Sequence, residues 1–314
     1  MQGVVHGWEF PASLRTAYAS IGNFDGVHRG HRALLDRLMV AARSAGVPSV
    51  VVTFDPPPLA LLRPDALPPR LTTIDQRVEL IQQAGVDAVW ILPTTWELLG
   101  LTADEFFQRV VLDRLNARGL MEGPNFFFGR DRGGTIEVLR GLCTSGGVAL
   151  DVIEPVRIDD EWVSSSAIRT ALLEGDIPAA VRQLGHPYRL AGTVIDGAHR
   201  GRTLGFPTAN LGDVATVIPG HGVYAGRVAI NDRAYAAAVH IGPNPTFGEG
   251  ASKIEVHLLD FQGDLYGTVL AVDLIERVRG VQRFVSVDEL LRQLHADVEF
   301  VRNRVNHADS GNSA

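Results

Sequence analysis

The sequence predicts two architectures in series: an α/β domain built on a parallel sheet, then an antiparallel β domain closed by one helix. Three observations predict it. Residues 17–117 alternate short apolar strands with helical segments, the pattern of a sheet covered by helices. After Pro187 the chain changes to short β-rich segments between glycine turns, the pattern of an antiparallel barrel or sandwich. The length of 314 residues, with 46% hydrophobic and 21% charged, supplies material for about two cores.

The elements follow in order. "AYASIG" is a short strand ending at Gly22. In "HRALLDRLMVAARSAG" the residues Ala33, Leu34, Met39 and Ala41 recur at near-helical spacing, and Gly46 stops the helix. "PSVVVTFD" is continuous and β-branched, a buried strand. "TIDQRVELIQQAG" reads as a helix and "DAVWILP" as a strand. "TADEFFQRVVLDRLNA" is a long helix with Thr102 as its N-cap. "VSSSAIRTALLEGDIPAAVRQLGHP" is a cap followed by helical material. Strands are expected in "YRLAGTVIDG", "GVYAGRVAI", "RAYAAAVHI", "SKIEVHLLDF" and "LYGTVLAVDLIERVR". "SVDELLRQLHADVEFVRNRV" closes the chain as a helix capped by Ser286. The expected domains are residues 1–186 and 187–304, with a disordered tail over 305–314.

The formal charge of −7 disfavours a nucleic-acid partner, which selects basic surfaces. Cys143 is the only cysteine, so neither an intramolecular disulfide nor a Cys-based zinc site can form. The N-terminus lacks the basic and apolar regions of a signal peptide, and no apolar run approaches the ~20 residues of a membrane helix. A cytoplasmic location without membrane attachment is expected.

Between the first strand and the first helix lies "GNFDGVHRGH". In open parallel sheets, ligands bind at loops that leave the carboxyl ends of strands. Gly22, Gly26 and Gly30 let the backbone turn tightly, and the helix start turns free N–H groups toward a ligand. His28 and His31, three residues apart, can donate to phosphate oxygens. A plain glycine turn with two surface histidines, or a metal pair lacking further ligands, are the other readings of these residues.

"GNFDGVHRGH" resembles the H-x-G-H signature of nucleotidyltransferases, and its flanks resemble the prokaryotic bifunctional riboflavin kinase/FMN adenylyltransferase family, the FAD synthetases. "VVTFDP", "RLTT", "GPNFFFGRDRGG" and "VSSSAIR" resemble further family segments, in order. The resemblance implies a nucleotidyltransferase-like, Rossmann-like first domain. There His28 and His31 would stabilise charge on the ATP α-phosphate, with Gly22, Phe24, Asp25 and Gly30 near the nucleotide. It places Ser164, Ser165 and Arg169 on phosphates, and Asn125 with Phe128 on FMN. Three departures stand out. Pro57 replaces a family histidine, Ser166 a threonine, and Trp162 an arginine that would contact phosphate.

"GTVIDGAHRGRTLGFPTANL" resembles the riboflavin kinase signature and implies an antiparallel barrel. By that resemblance Gly192, Gly197, Gly201, Arg202 and Gly205 fold over the ATP phosphates, and Thr208 and Asn210 bind Mg²⁺. Strand alternation in "KIEVHLLDF" puts Glu255, His257 and Leu259 on one face. Glu255 resembles the family's catalytic carboxylate. The implied substrates are riboflavin, FMN and ATP, with oligomeric state left open. A kinase with an impaired adenylyltransferase half and a non-catalytic flavin-binding module are the alternatives. Intact His28 and His31 oppose the first, and Glu255 opposes the second.

Overall fold

The computed structural model describes residues 3–197, 201, 204–231, 233–244, 246 and 249–311. They form two compact units. The first comprises the chain up to Pro68 and Thr72–Ser164; the second comprises Pro69–Leu71 and everything from Ser165 onward.

The first unit holds a six-stranded, all-parallel sheet. Its strands are β1 (Gly3–His6), β2 (Tyr18–Ile21), β3 (Ser49–Asp55), β4 (Ala88–Pro93), β5 (Gly119–Glu122) and β6 (Ala149–Val152). Their spatial order is β1-β4-β3-β2-β5-β6. Both faces are apolar, because alternate residues of one strand feed different cores. Val50 and Val52 join Trp90 and Leu92 on one face, while Val51 joins Val89, Leu35 and Leu38 on the other. The helices are α1 (Arg29–Ala45), α2 (Pro58–Leu62), α3 (Ile74–Gln83), α4 (Trp96–Gly100), α5 (Ala103–Phe106) and α6 (Ile136–Gly146). Gly46 ends α1 in the left-handed region, and Thr102 caps α5 in a capping box with Glu105. The expected long helix after Thr102 is wound as α5 and then as a π-helix over Phe107–Arg114, which buries Phe107, Val110 and Val111. A short hairpin, β7 (Arg157–Ile158) and β8 (Glu161–Trp162), follows.

The second unit begins with α7 (Ser165–Glu174) and α8 (Ile177–Leu184). The strands β9 (Tyr188–Ile195), β10 (Ala209–Gly212), β11 (Gly222–Ile230), β12 (Arg233–Asn244), β13 (Glu249–Leu258) and β14 (Val269–Arg279) close an antiparallel barrel, ordered β10-β13-β12-β11-β14-β9. Val239, Ile241, Ile254, Val256 and Val272 fill it. The final helix α9 (Val287–Gly311) lays Val301 and Val305 against Ala225 and Leu259 of the outer wall. Ser286 Oγ accepts from the Glu289 amide at 3.2 Å, as an N-cap does.

Two sequence boundaries differ from the packing. Compactness divides the chain after Ser164, not at residue 187, because Ile168, Leu172, Ile177 and Leu184 of α7 and α8 pack in the barrel's apolar cluster. The tail expected to be disordered from residue 305 is helical to Gly311. Val305 is still buried, and the helix continues to Gly311.

Candidate functional site

In the first unit the chain runs from β2 to β3 and β4 on one side, then returns to place β5 and β6 on the other. The reversal between β2 and β5 is a topological switch point, where the loops leaving two neighbouring strands diverge and open a crevice. A cavity of about 1000 Å³ lies there. Gly22 and Asn23 line it from the loop after β2, and Asn125 and Phe126–Phe128 from the loop after β5.

The loop before α1 is held from beneath. The Asp25 carboxylate accepts from the Thr72 amide and hydroxyl, both at 3.1 Å, and from Arg77 Nη2 at 3.4 Å. Thr72 Oγ1 in turn accepts from the Gly26 amide at 3.2 Å, and the Thr53 hydroxyl donates to the Asn23 carbonyl at 3.2 Å. Asp25 and Arg77 form a largely buried ion pair. Asp25, expected near the nucleotide, therefore turns its carboxylate inward and shapes the loop. Phe24 is also buried, its ring 5.0 Å from that of His31, so its place is behind the loop.

His28 is the N-cap of α1, and its Nδ1 accepts from the His31 amide at 3.3 Å. That contact assigns the ring proton to Nε2. The two imidazoles stack with centroids 3.7 Å apart and planes 13° apart. Gly30 lies beneath, where a Cβ would approach the His28 ring to 3.2 Å. Burial, followed by His28 and Arg77, holds the His31 imidazole well below its ordinary range, so it is neutral near pH 7. Its Nδ1 has no hydrogen-bond partner among the described residues. The neutral His31 ring and the His28 ring at a helix N-terminus offer donors to an anion.

Of the three phenylalanines, Phe128 is buried against Phe106 and Phe126, yet it still borders the cavity. Phe127 is the exposed one, with the Arg132 guanidinium 4.2 Å from its ring centre. Arg63, Arg130 and Arg132 also line the cavity. Sequence reasoning weighed the run Phe126–Phe128, assigned only Phe128 to the flavin, and passed over these arginines, since nothing in their spacing separates them from ordinary surface residues. Pro57 precedes α2 as its N-cap residue. Trp162 lies on β8 directly opposite Arg157, whose guanidinium stands 4.9 Å from the indole centre. A guanidinium thus occupies this hairpin although Trp162 replaces the expected arginine. Ser164 falls in the first unit, Ser165 and Arg169 in the second. Arg169 Nε donates to the Pro69 carbonyl at 2.7 Å. Their link to His28 and His31 rests on the motif alone.

In the second unit a cavity of about 160 Å³ lies between the outer barrel wall and α9. Gly201, Thr208, Asn210, Asn244 and Glu255 border it. Asn210 stands opposite Glu255 in the β10–β13 ladder, and Asn244 Nδ2 donates to Glu255 Oε2 at 3.2 Å. Ile254, Val256 and Leu258 point into the barrel, which leaves Glu255 and His257 on the outer face as strand alternation predicts. His257 Nδ1 donates to the Pro207 carbonyl at 2.8 Å, and Phe206 packs edge-on against His257 and His295. These contacts anchor the segment that carries Thr208 and Asn210.

The glycines of this segment have separate roles. A Cβ at Gly197 would sit 2.1 Å from Asn210 Nδ2, and one at Gly201 would sit 2.2 Å from the Phe206 carbonyl oxygen and 3.3 Å from Thr208 Oγ1. At Gly201 the backbone therefore closes over the Thr208 segment as only glycine allows, whereas a side chain at Gly197 would displace the Asn210 amide. Gly205 adopts φ +84°. Gly192 lies instead within β9, where a Cβ would meet the Gly212 carbonyl at 2.6 Å, so it serves strand packing. Arg202 lies outside the described residues. The cradle around Thr208 and Asn210 offers neutral oxygen donors, a set suited to a hard divalent cation that keeps part of its water shell. Arg279 and Asp297 border the same cavity and form a bidentate ion pair, with Nη2 to Oδ2 at 2.8 Å, that ties β14 to α9.

Comparison with known proteins adds to this geometry. A family model described as FAD synthetase matches residues 10–167, and one described as riboflavin kinase matches residues 184–305. The chain is 40% identical over 289 residues to the bifunctional riboflavin kinase/FMN adenylyltransferase of Pseudomonas fluorescens, covering 92% of this chain and 93% of that one. The protein of that name from Bacillus subtilis strain 168 is 33% identical, with 88% and 89% covered. A crystal structure from Streptococcus pneumoniae, described as a macrolide-efflux protein, matches with a TM-score of 0.83 at 32% identity, covering 96% of this chain and 99% of that one. Among the described residues no helix is long and apolar enough to cross a membrane.

Proposed function

The chain belongs to the family of bifunctional riboflavin kinase/FMN adenylyltransferases, and from that premise we propose how its two cavities divide the two reactions. It phosphorylates riboflavin with ATP, releasing ADP, and transfers the adenylyl group of ATP to FMN, releasing pyrophosphate. The barrel cavity is assigned the first reaction and the switch-point cavity the second. We also propose that it works in the cytoplasm, where ATP is at hand.

In the kinase half, Glu255 accepts the proton of the riboflavin 5′-hydroxyl as that oxygen attacks the γ-phosphorus of ATP. The bond from phosphorus to the bridging oxygen breaks, and ADP leaves. Asn244 keeps the carboxylate oriented through its hydrogen bond. Gly197, Gly201 and Gly205 carry the backbone past the phosphates. Thr208 and Asn210 would hold Mg²⁺, which when bound neutralises charge on the transferring phosphoryl group.

In the adenylyltransferase half, a phosphate oxygen of FMN attacks the α-phosphorus and pyrophosphate leaves. His28 and His31 donate to the oxygens on which charge grows, and the α1 N-terminus adds its dipole. Ser164 contributes a phosphate contact by its place in the motif. Asn125 and the aromatic wall seat the flavin. The observation that supports the reading most is the single cavity shared by Thr208, Asn210 and Glu255, with Asn210 facing Glu255 across one ladder.

Incubation of the purified protein with riboflavin, ATP and Mg²⁺, followed by chromatography of the flavins, tests this reading. Both FMN and FAD are expected. Accumulation of FMN alone would overturn the assignment of the switch-point cavity. Conversion of supplied FMN with no action on riboflavin would overturn that of the barrel cavity.

A further inference from the structure

His240 stands directly opposite Glu255 in the β12–β13 ladder, so the two side chains leave the barrel wall on the same face. Both border the cavity. Nε2 of His240 is shut off from water and has no hydrogen-bond partner among the described residues. The backbone at Pro243 and Gly242 favours a proton on the ring. Burial is the larger influence and lowers the pKa of the imidazole, while the Glu255 charge partly opposes it. The ring is then neutral near pH 7, and its unpartnered Nε2 is an acceptor in the tautomer that carries the proton on Nδ1.

Several charged and polar groups around the cavity are already engaged. The Arg279 guanidinium is taken by Asp297, whose carboxylate also accepts from Gln293. The Asn244 amide donates to Glu255, and His257 donates to the Pro207 carbonyl. A buried acceptor without a partner is costly, and it persists where a ligand or an ordered water completes it.

We propose that His240 is a substrate contact of the kinase site: its Nε2 accepts a hydrogen bond from a hydroxyl of the flavin's ribityl chain, beside the hydroxyl that Glu255 deprotonates. This rests on reading the cavity as the kinase site with Glu255 as base. The geometry supports a role in choosing the substrate. Glu255 acts on one terminal hydroxyl, which any hydroxyalkyl flavin presents. An acceptor opposite it recognises the remaining polyol, because a buried site built to bind a hydroxyl rejects the analogue lacking it.

The test is steady-state FMN formation by wild-type protein, His240→Leu and His240→Gln. Two flavins are compared: riboflavin, and an analogue whose ribityl chain is an unbranched pentyl chain with only the terminal hydroxyl. Leu removes the acceptor, and Gln restores one near the position of Nε2. For His240→Leu the riboflavin KM should rise about ten- to a hundred-fold, the range of one unpaired buried hydrogen bond, with kcat and the ATP KM little changed. The preference of wild type for riboflavin over the pentyl analogue should shrink by a similar factor, and Gln should recover most of the loss. An unchanged kcat and ATP KM for riboflavin phosphorylation, with a wild-type thermal unfolding curve, report that the barrel unit of each variant is folded. An unchanged riboflavin KM in His240→Leu, or equal losses on both flavins, overturns the inference. Glu255→Gln is assayed alongside. If it forms FMN normally, the reading of the cavity itself fails; if it is inactive while His240→Leu is normal, only the His240 contact fails.

Discussion

Glu122, the last residue of β5, accepts a hydrogen bond from the amide of Ile21, the last residue of β2, at 2.8 Å. The β2–β5 ladder pairs only Tyr18 with Gly119 and Ala19 with Leu120. The carboxyl group thus supplies one more link where the strands part, just before Gly22 and Gly123 lead into the cavity loops. Glu122 is 2% exposed, and burial raises its pKa well above the usual carboxylate range, partly offset by the Ile21 amide.

A pH dependence follows from that burial. The folded state favours the protonated carboxyl more than the unfolded chain does. Its contribution is therefore full below the ordinary carboxylate range and is lost as pH rises through the raised value. Glu122→Gln cannot ionise and still accepts from Ile21. Its melting temperature should match wild type near about pH 4 and exceed it increasingly toward about pH 8. Thermal unfolding across that range checks this, and a constant difference would count against a proton on Glu122.

Replacing His28 and His31 together by alanine should abolish FAD formation from FMN and leave FMN formation from riboflavin intact. Each donor to developing charge is expected to contribute about 2.7–4 kcal/mol to the barrier. Because His31 is held neutral, wild-type adenylyl transfer should show no His31 inflection between about pH 6 and about pH 8. Wild-type FAD synthesis by the double variant would reduce the histidines to a stacked turn.

Glu255→Gln keeps the shape and the contact to Asn244 but removes the base. FMN formation should fall about 10²–10⁴-fold, the usual effect of a positioned acid–base group. Conversion of supplied FMN to FAD should persist. The thermal unfolding of the variant, measured on the same preparation, separates loss of the base from loss of the barrel fold.

A fragment of residues 165–314 should be markedly more stable than one of residues 187–314. The longer one keeps Ile168, Leu172, Ile177 and Leu184, all buried in the cluster shared with the barrel. At about 1.5–3 kcal/mol for each fully buried side chain, they represent a large part of an ordinary domain's about 5–15 kcal/mol. Comparison of the two melting temperatures decides whether α7 and α8 support the barrel, and equal values would deny it.

The sequence by itself determined the central strands β2, β3 and β4, the final helix and the loop motifs, because each rests on local pattern. Val50–Val52 alternates between two apolar faces, Gly46 stops a helix, Thr102 caps one, and Glu255 follows strand period. The strands β1, β5 and β6 were not legible, since four residues carry too little periodicity by themselves and none is marked, as the equally short β2 is, by a glycine motif at its end that opens a legible helix. Tertiary structure alone decided the rest. It turned Asp25 inward onto Thr72 and Arg77, took α7 and α8 into the barrel's cluster, and set His240 opposite Glu255. Each depends on which strands and helices become neighbours. That choice is made by the burial of whole faces, and residues 15 apart in the chain, like His240 and Glu255, share a site only through ladder register.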